Sequence, residues 1–178
     1  MDPSTGRLSP LPNMVNPKKW PAFVTTENKI FVFSDGMVLD SPGVYSSEVY
    51  EAASGRWSPL SPMIEERRLC AAVSIGNSRV LVTGGIGRNQ VYLRSTELLT
   101  QLSGEGGGGE KWQWRPFSPM NEEHGGDLPA AYLQGRVYVV GSIYYIFPIP
   151  WRWNTKLGQT KKIWKDSTYV LLTTIKLK

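Results

Sequence analysis

Apolar residues in this chain gather in short runs that end on small ones. KIFVFSDG at residues 29–36, RVLVTGGIG at 79–87 and RVYVVGS at 136–142 each place β-branched and aromatic side chains ahead of Gly or Ser, as short strands that stop at turns do. Around the second run the pattern predicts four consecutive strands: LCAAVSI (69–75), RVLVTGG (79–85), STELLTQL (95–102) and WQWRPFSPM (112–120). With 18 Gly and 13 Pro beside eight Tyr and seven Trp, the composition favours strands broken by turns over long helices.

The runs belong to a repeat. TGRLSPLPNM at residues 5–14 returns as SGRWSPLSPM at 54–63, and YSSEVYEAASG at 45–55 returns as RSTELLTQLSG at 94–104, in both cases after 49 residues. Glu48 thus becomes Glu97, and Gly55 becomes Gly104. The phrase comes a third time as WRPFSPM at 114–120, where Trp114 lies 57 residues beyond Trp57. The eight added residues fall within EGGGGEKWQ at 105–113, which reads as a flexible loop at a hairpin tip.

A four-stranded unit repeating about every 50 residues is the sequence mark of a propeller blade. The unit resembles the kelch repeat. That motif has paired glycines after its second strand, an aromatic residue about six places past a Glu or Val on the third, and a Trp on the fourth. Gly84-Gly85 supplies the pair in the middle unit, where Ser34-Asp35-Gly36 and Gly141-Ser142 stand in the units before and after. Tyr50 supplies the aromatic and Leu99 replaces it one unit later; Trp57 and Trp114 supply the tryptophan, with Leu8 in the first copy.

The resemblance implies an all-β fold, an incomplete kelch β-propeller of about two full four-stranded antiparallel blades plus partial blades. It covers residues 2–142, as a partial blade at 2–14, blades at 20–63 and 69–120, and a partial blade at 128–142. A divergent basic tail, 143–178, follows. Because both ends interrupt a unit, the reading favours a fragment of a longer protein, with a half-propeller completed by another chain and a short variant capped by its own tail as the alternatives. STYVLLTTI at 167–175 has the strand propensity to cap an open edge. Trp57 and Trp114 are expected to fill the space between blades, and the small residues after each second strand to allow positive φ where backbone runs close.

Charge changes the picture little. The net +5 resides in the tail, since residues 1–142 hold 13 Lys and Arg against 14 Asp and Glu, while 143–178 hold seven against one. No zinc-finger spacing, helix-turn-helix pattern or paired RNA-binding aromatic motif accompanies it, so nucleic-acid binding is not expected. No stretch of about 18 apolar residues is present to span a bilayer, and MDPSTGRLSP lacks the features of a secretory signal, which leaves a cytosolic or nuclear setting. The single Cys70, in the apolar run LCAAV, reads as a buried small residue.

No catalytic set, metal site or cofactor motif emerges, and the chain is expected not to be an enzyme. His124 is the sole histidine, too few for a triad by family pattern or for the two histidine ligands of a galactose-oxidase-type copper centre. The Glu65-Glu66 and Glu122-Glu123 pairs read as solvated loop residues, and GGIGRNQ lacks the third glycine of a dinucleotide loop. The loops at 35–45 and 85–94 share one end of the propeller with those at 59–68 and 116–127, and loops on a rigid scaffold are where recognition is expected. Asp35, Asp40, Arg67, Arg68, Arg88, Asn89 and Gln90 are therefore the candidate partner-binding residues.

In kelch substrate receptors of cullin ubiquitin ligases this face holds a target peptide. Arg68, five past Met63, resembles the arginine those receptors use, although Gly125 stands at the matching place after Met120. The implied function is a protein-interaction module of that kind, with an actin-binding kelch protein or a non-functional fragment as alternatives and a propeller enzyme last. The implied partners are a peptide or substrate protein, and other kelch blades or a second copy through open edges. The sequence carries no BTB or BACK domain, so it is not expected to capture a cullin by itself.

Overall fold

The computed structural model describes residues 4–34, 45–102, 111–121, 123, 129–142 and 170–176. Among these residues the chain is all-β, without helices, and every strand pairing is antiparallel. The first sheet is a meander of β1 (Ala22–Thr25), β2 (Lys29–Phe33), β3 (Ser47–Glu51) and β4 (Arg56–Pro59). After the two-residue β5 (Arg67–Arg68), the chain builds β6 (Ala71–Ser74) and β7 (Arg79–Thr83), then the equally short β8 (Ile86–Gly87), β9 (Thr96–Leu102) and β10 (Lys111–Phe117). Strands β6, β7, β9 and β10 form the second sheet in meander order, and β5 pairs with β8 beside it. The third sheet holds β11 (Ala130–Leu133), β12 (Arg136–Ser142) and β13 (Val170–Lys176).

The alternation of each strand decides how the sheets meet, because side chains two apart share a face. Phe31, Phe33 and Val49 leave the first sheet on one side and pack with Val80, Val82, Leu99 and Trp114 of the second. The intervening residues Leu81 and Leu98 leave the second sheet on its other side, joining Ala71, Val73, Val137, Val139 and Ile175. The middle sheet therefore buries both faces. Within the stack β1 lies against β6 and β6 against β11, so the first strands of successive sheets are neighbours.

The repeat is kept in three dimensions, with one offset. Ala22 pairs with Phe33, and Ala71 with Thr83, so the first strands correspond after 49 residues and the second strands after 50. The turn at 75–78 is one residue longer than that at 26–28, and the loop at 84–95 is one shorter than that at 34–46. Ser34 is thereby the partner of Gly84. Both have positive φ, 49° and 63°, and the N–H of each donates to the carbonyl of the corresponding serine, Ser46 at 3.0 Å and Ser95 at 3.1 Å.

Gly85 has φ +95°, and a Cβ there would lie 2.6 Å from the Arg68 carbonyl and 3.0 Å from the Cys70 Cβ. The tight approach is what lets β8 pair with β5. Gly85→Ala is expected to cost about 2 kcal/mol in urea unfolding, through left-handed strain plus displacement of backbone. An unchanged midpoint would show that the β5–β8 contact yields freely.

Three expectations from the sequence are revised. The added length between β9 and β10 is not all loop: the ladder runs two pairs past the first sheet's, through Gln101 with Trp112 and Leu102 with Lys111. Trp112 leaves that extension to meet Phe31 edge-on, with centroids 4.9 Å apart, and this contact explains why the ladder continues. Residues 103–110, with the glycine run, lie outside the described residues. The first phrase, 5–14, contains no ladder among its described residues, because a fourth strand pairs only with its own third strand and none is described beside it. Trp57 is only half-buried, whereas Trp114 is buried: Trp57 sits on the face of the first sheet turned away from the second.

The tail does supply a strand. β13 pairs along the whole of β12, from Arg136 with Lys176 to Ser142 with Val170. It occupies the place that β3 and β9 hold in the other sheets, and Ile175 is buried there against Val137 and Val139. Among the described residues no helix is long and apolar enough to cross a membrane.

Candidate functional site

The repeated glutamates have a structural task. Glu97 accepts the backbone N–H groups of Ile64 (2.7 Å) and Glu65 (3.0 Å), and Glu48 accepts those of Val15 and Asn16, both at 2.8 Å. Each carboxylate thus pins the segment arriving from the preceding phrase onto the third strand of the next sheet. The tryptophans repeat the device at the fourth strand: the Trp114 Nε1–H donates to the Ser61 carbonyl and the Trp57 Nε1–H to the Pro12 carbonyl, each at 2.9 Å.

A cation completes each latch. The Lys18 Nζ donates to Glu48 Oε1 at 3.1 Å and to Ser46 Oγ at 2.7 Å. Forty-nine residues later, Arg67 donates to Glu97 Oε1 at 2.8 Å and to Ser95 Oγ at 2.9 Å. Its guanidinium adds bonds to the carbonyls of Gly84 (2.8 Å) and Ser95 (3.0 Å), which the single ammonium of Lys18 does not reproduce. Ser95 in turn donates to the Glu65 carboxylate. Arg67 is completely buried, so the expectation that it faces a partner is corrected: Glu97 neutralises its charge and both of its terminal nitrogens donate inside the latch.

Cys70 lies close by, buried, with its Sγ 3.8 Å from Ser34 Oγ. Burial pushes its thiol pKa up, and the nearby Arg67 charge only partly opposes this. A thiol held protonated in the core is a packing group, as the sequence suggests.

The other loop candidates come together. The β5–β8 pairing sets residues 62–68 beside 86–92, and a groove of about 620 Å³ opens between Pro62, Met63, Ile64 and Glu66 on one side and Gly87, Arg88 and Asn89 on the other. Arg88 is 78% exposed and holds Glu66 at 2.9 Å; Arg68, part-buried, donates to Gln90 at 2.7 Å. Asn89 Oδ1 accepts the Val91 N–H at 3.3 Å, an Asx turn that shapes the tip, and Gln90 takes positive φ beside it. Asp35 and Asp40, with His124 and Gly125, lie outside the described residues.

Three residues of this surface were not picked out from sequence: Ile64, Val91 and Tyr92, each about half or more exposed. The signal was present, since VY directly after the polar turn GRNQ, and Ile64 directly before a Glu pair, put apolar side chains where a solvated loop would have none. The surface combines exposed apolar groups with guanidinium and carboxylate groups at its edge. Chemically this suits binding an extended segment. Among the described residues no three His, Cys, Asp or Glu side chains are grouped so as to hold a metal ion. No family model matches the chain, and no curated protein matches it.

Proposed function

We propose that the chain is part of a kelch-type β-propeller and acts as a protein-interaction module, receiving a segment of a partner protein on the loop surface formed by residues 62–68 and 86–92. Supporting the propeller reading is the stacking of two four-stranded meanders and a three-stranded sheet with their first strands adjacent, together with a carboxylate-to-backbone latch that recurs after 49 residues, at Glu48 and at Glu97. Substrate recognition of the kind used by ubiquitin ligase adaptors is the reading this surface suits best.

The observation that carries it is the groove lined by Ile64, Glu66 and Arg88, with Val91 and Tyr92 exposed on the same hairpin as Arg88, on a scaffold that Arg67 and Glu97 hold in place. Arg88 presents its guanidinium to solvent and can exchange the Glu66 carboxylate for one from a partner, while the apolar side chains receive a neighbouring residue. The target is accordingly an extended peptide with an acidic residue next to an apolar one.

Peptides selected from a random library on the purified chain are expected to be acidic and apolar. They should lose about tenfold or more in affinity, by fluorescence polarisation, with either Arg88→Glu or Tyr92→Ala. Peptides whose binding neither variant alters would overturn the assignment of this surface.

A further inference from the structure

Among the described residues no further sheet covers the two outer faces of the stack, and they have the same pattern as the two faces that meet inside it. On the free face of the first sheet stand Phe23, Ile30, Tyr50 and Trp57, which register places together on one side of β1 to β4. Their counterparts in the second sheet are Ala72, Val80, Leu99 and Trp114, the side chains on which the first sheet packs. Val32 and Glu48 on this face are buried, Glu48 in its latch with segment 12–18, but Phe23 is 67% exposed and Ile30, Tyr50 and Trp57 are only part-buried, whereas Val80 and Leu99, the counterparts of Ile30 and Tyr50, are fully buried.

The far end mirrors this. Ala131, Leu133, Tyr138 and Val140 share the free face of the third sheet. Ala131 and Tyr138 correspond to Val73 and Leu81, buried side chains on the face of the second sheet that covers the third. Leu133 is 58% exposed at the place where Ile75 is buried. Each molecule thus shows one face of the type that is covered and one of the type that covers. The segment 12–18 already lies across the first sheet through Glu48, Lys18 and Trp57, just as 61–67 lies across the second.

We infer that a second copy of this chain docks head to tail, the free face of its third sheet on the free face of the first, continuing the internal stack across the molecular boundary. Such a contact is heterologous: it closes into a ring if the rotation between copies allows, and otherwise extends. Phe23 on one face and Leu133 on the other would both leave water in such a contact. The inference rests on the stacking of the sheets and not on the loop surface, so its failure leaves the peptide-binding reading intact.

The test is sedimentation velocity on the full chain over a concentration series reaching about 100 μM, well above the Kd of a micromolar contact. A dimer or larger assembly is expected for the natural sequence; a monomer throughout would overturn the inference and needs no variant. Phe23→Glu and Leu133→Glu, both at exposed positions and checked for folding by near-UV circular dichroism, should each be monomeric alone. Mixed in equal amounts they should form a one-to-one heterodimer, since each retains the face the other has lost. Assembly by Leu133→Glu alone, or a folded mixture that stays monomeric, would refute the head-to-tail arrangement.

Discussion

Arg67→Ala is expected to destabilise the fold by about 3–5 kcal/mol, enough to remove a large share of the stability of an ordinary domain. The substitution leaves Glu97, itself nearly inaccessible, with a charge that only two backbone N–H groups then balance. It also strips the carbonyls of Gly84 and Ser95 of their guanidinium donor. Desolvation rather than lost attraction dominates the cost, because a buried carboxylate without its cation has no water to turn to. Two companions sharpen the expectation. Arg67→Lys should recover part of the loss, since Lys18 serves the equivalent position with an ammonium, while Arg67→Ala with Glu97→Ala together should cost less than the sum of the two alone. Urea unfolding of these four variants against the natural sequence measures all of this, and an Arg67→Ala loss below about 1 kcal/mol would mean that the latch does not hold the sheets.

The second large effect is a contrast between two residues in one motif position. Trp114→Ala should cost about 3–5 kcal/mol, because the ring is buried between two sheets, meets Phe33 at 5.8 Å between centroids and donates to the Ser61 carbonyl. Trp57→Ala, measured in dilute solution, should cost about 1 kcal/mol. Its ring touches Tyr50 at 5.3 Å and donates to Pro12, but one side of it faces solvent. Equal losses for the two would mean that the free face of the first sheet is covered within a single molecule.

Much of the fold was legible because the repeat is written in residues whose tasks are local to one unit. Glu48 and Glu97 announce the third strand, and their separation of 49 residues already pairs Lys18 with Arg67. That pairing was the available sign that Arg67 belongs to the interior. It was masked by the following Arg68, because two adjacent arginines in a polar loop look alike until one of them finds a buried carboxylate. The half-exposure of Trp57 was not legible in principle, since burial belongs to what lies opposite and identical motifs at the end and middle of a stack have different neighbours. Similarly, EGGGGEKWQ gave a correct place for added length but no means of dividing it. In the structure Trp112 joins the ladder with its ring packed edge-on against Phe31. The make-up of the loop groove was half legible: Arg88 and Asn89, which line it, are among the loop residues singled out from sequence, whereas Ile64, which lines it too, and the exposed Val91 and Tyr92 were passed over.

The third sheet is completed by β13, with residues 143–169 intervening between it and β12. In the first two sheets, by contrast, the second strand meets the third after a loop of about half that length. Each doubling of the chain to be closed adds roughly 0.6 kcal/mol of entropic cost before any contact compensates it. Assembly should accordingly begin among the local hairpins of the central meander, with β13 arriving last and zipping onto an edge already formed. Ile175 then seals a core that has begun to condense without it, so damage to the C-terminal strand should hasten unfolding far more than it slows folding.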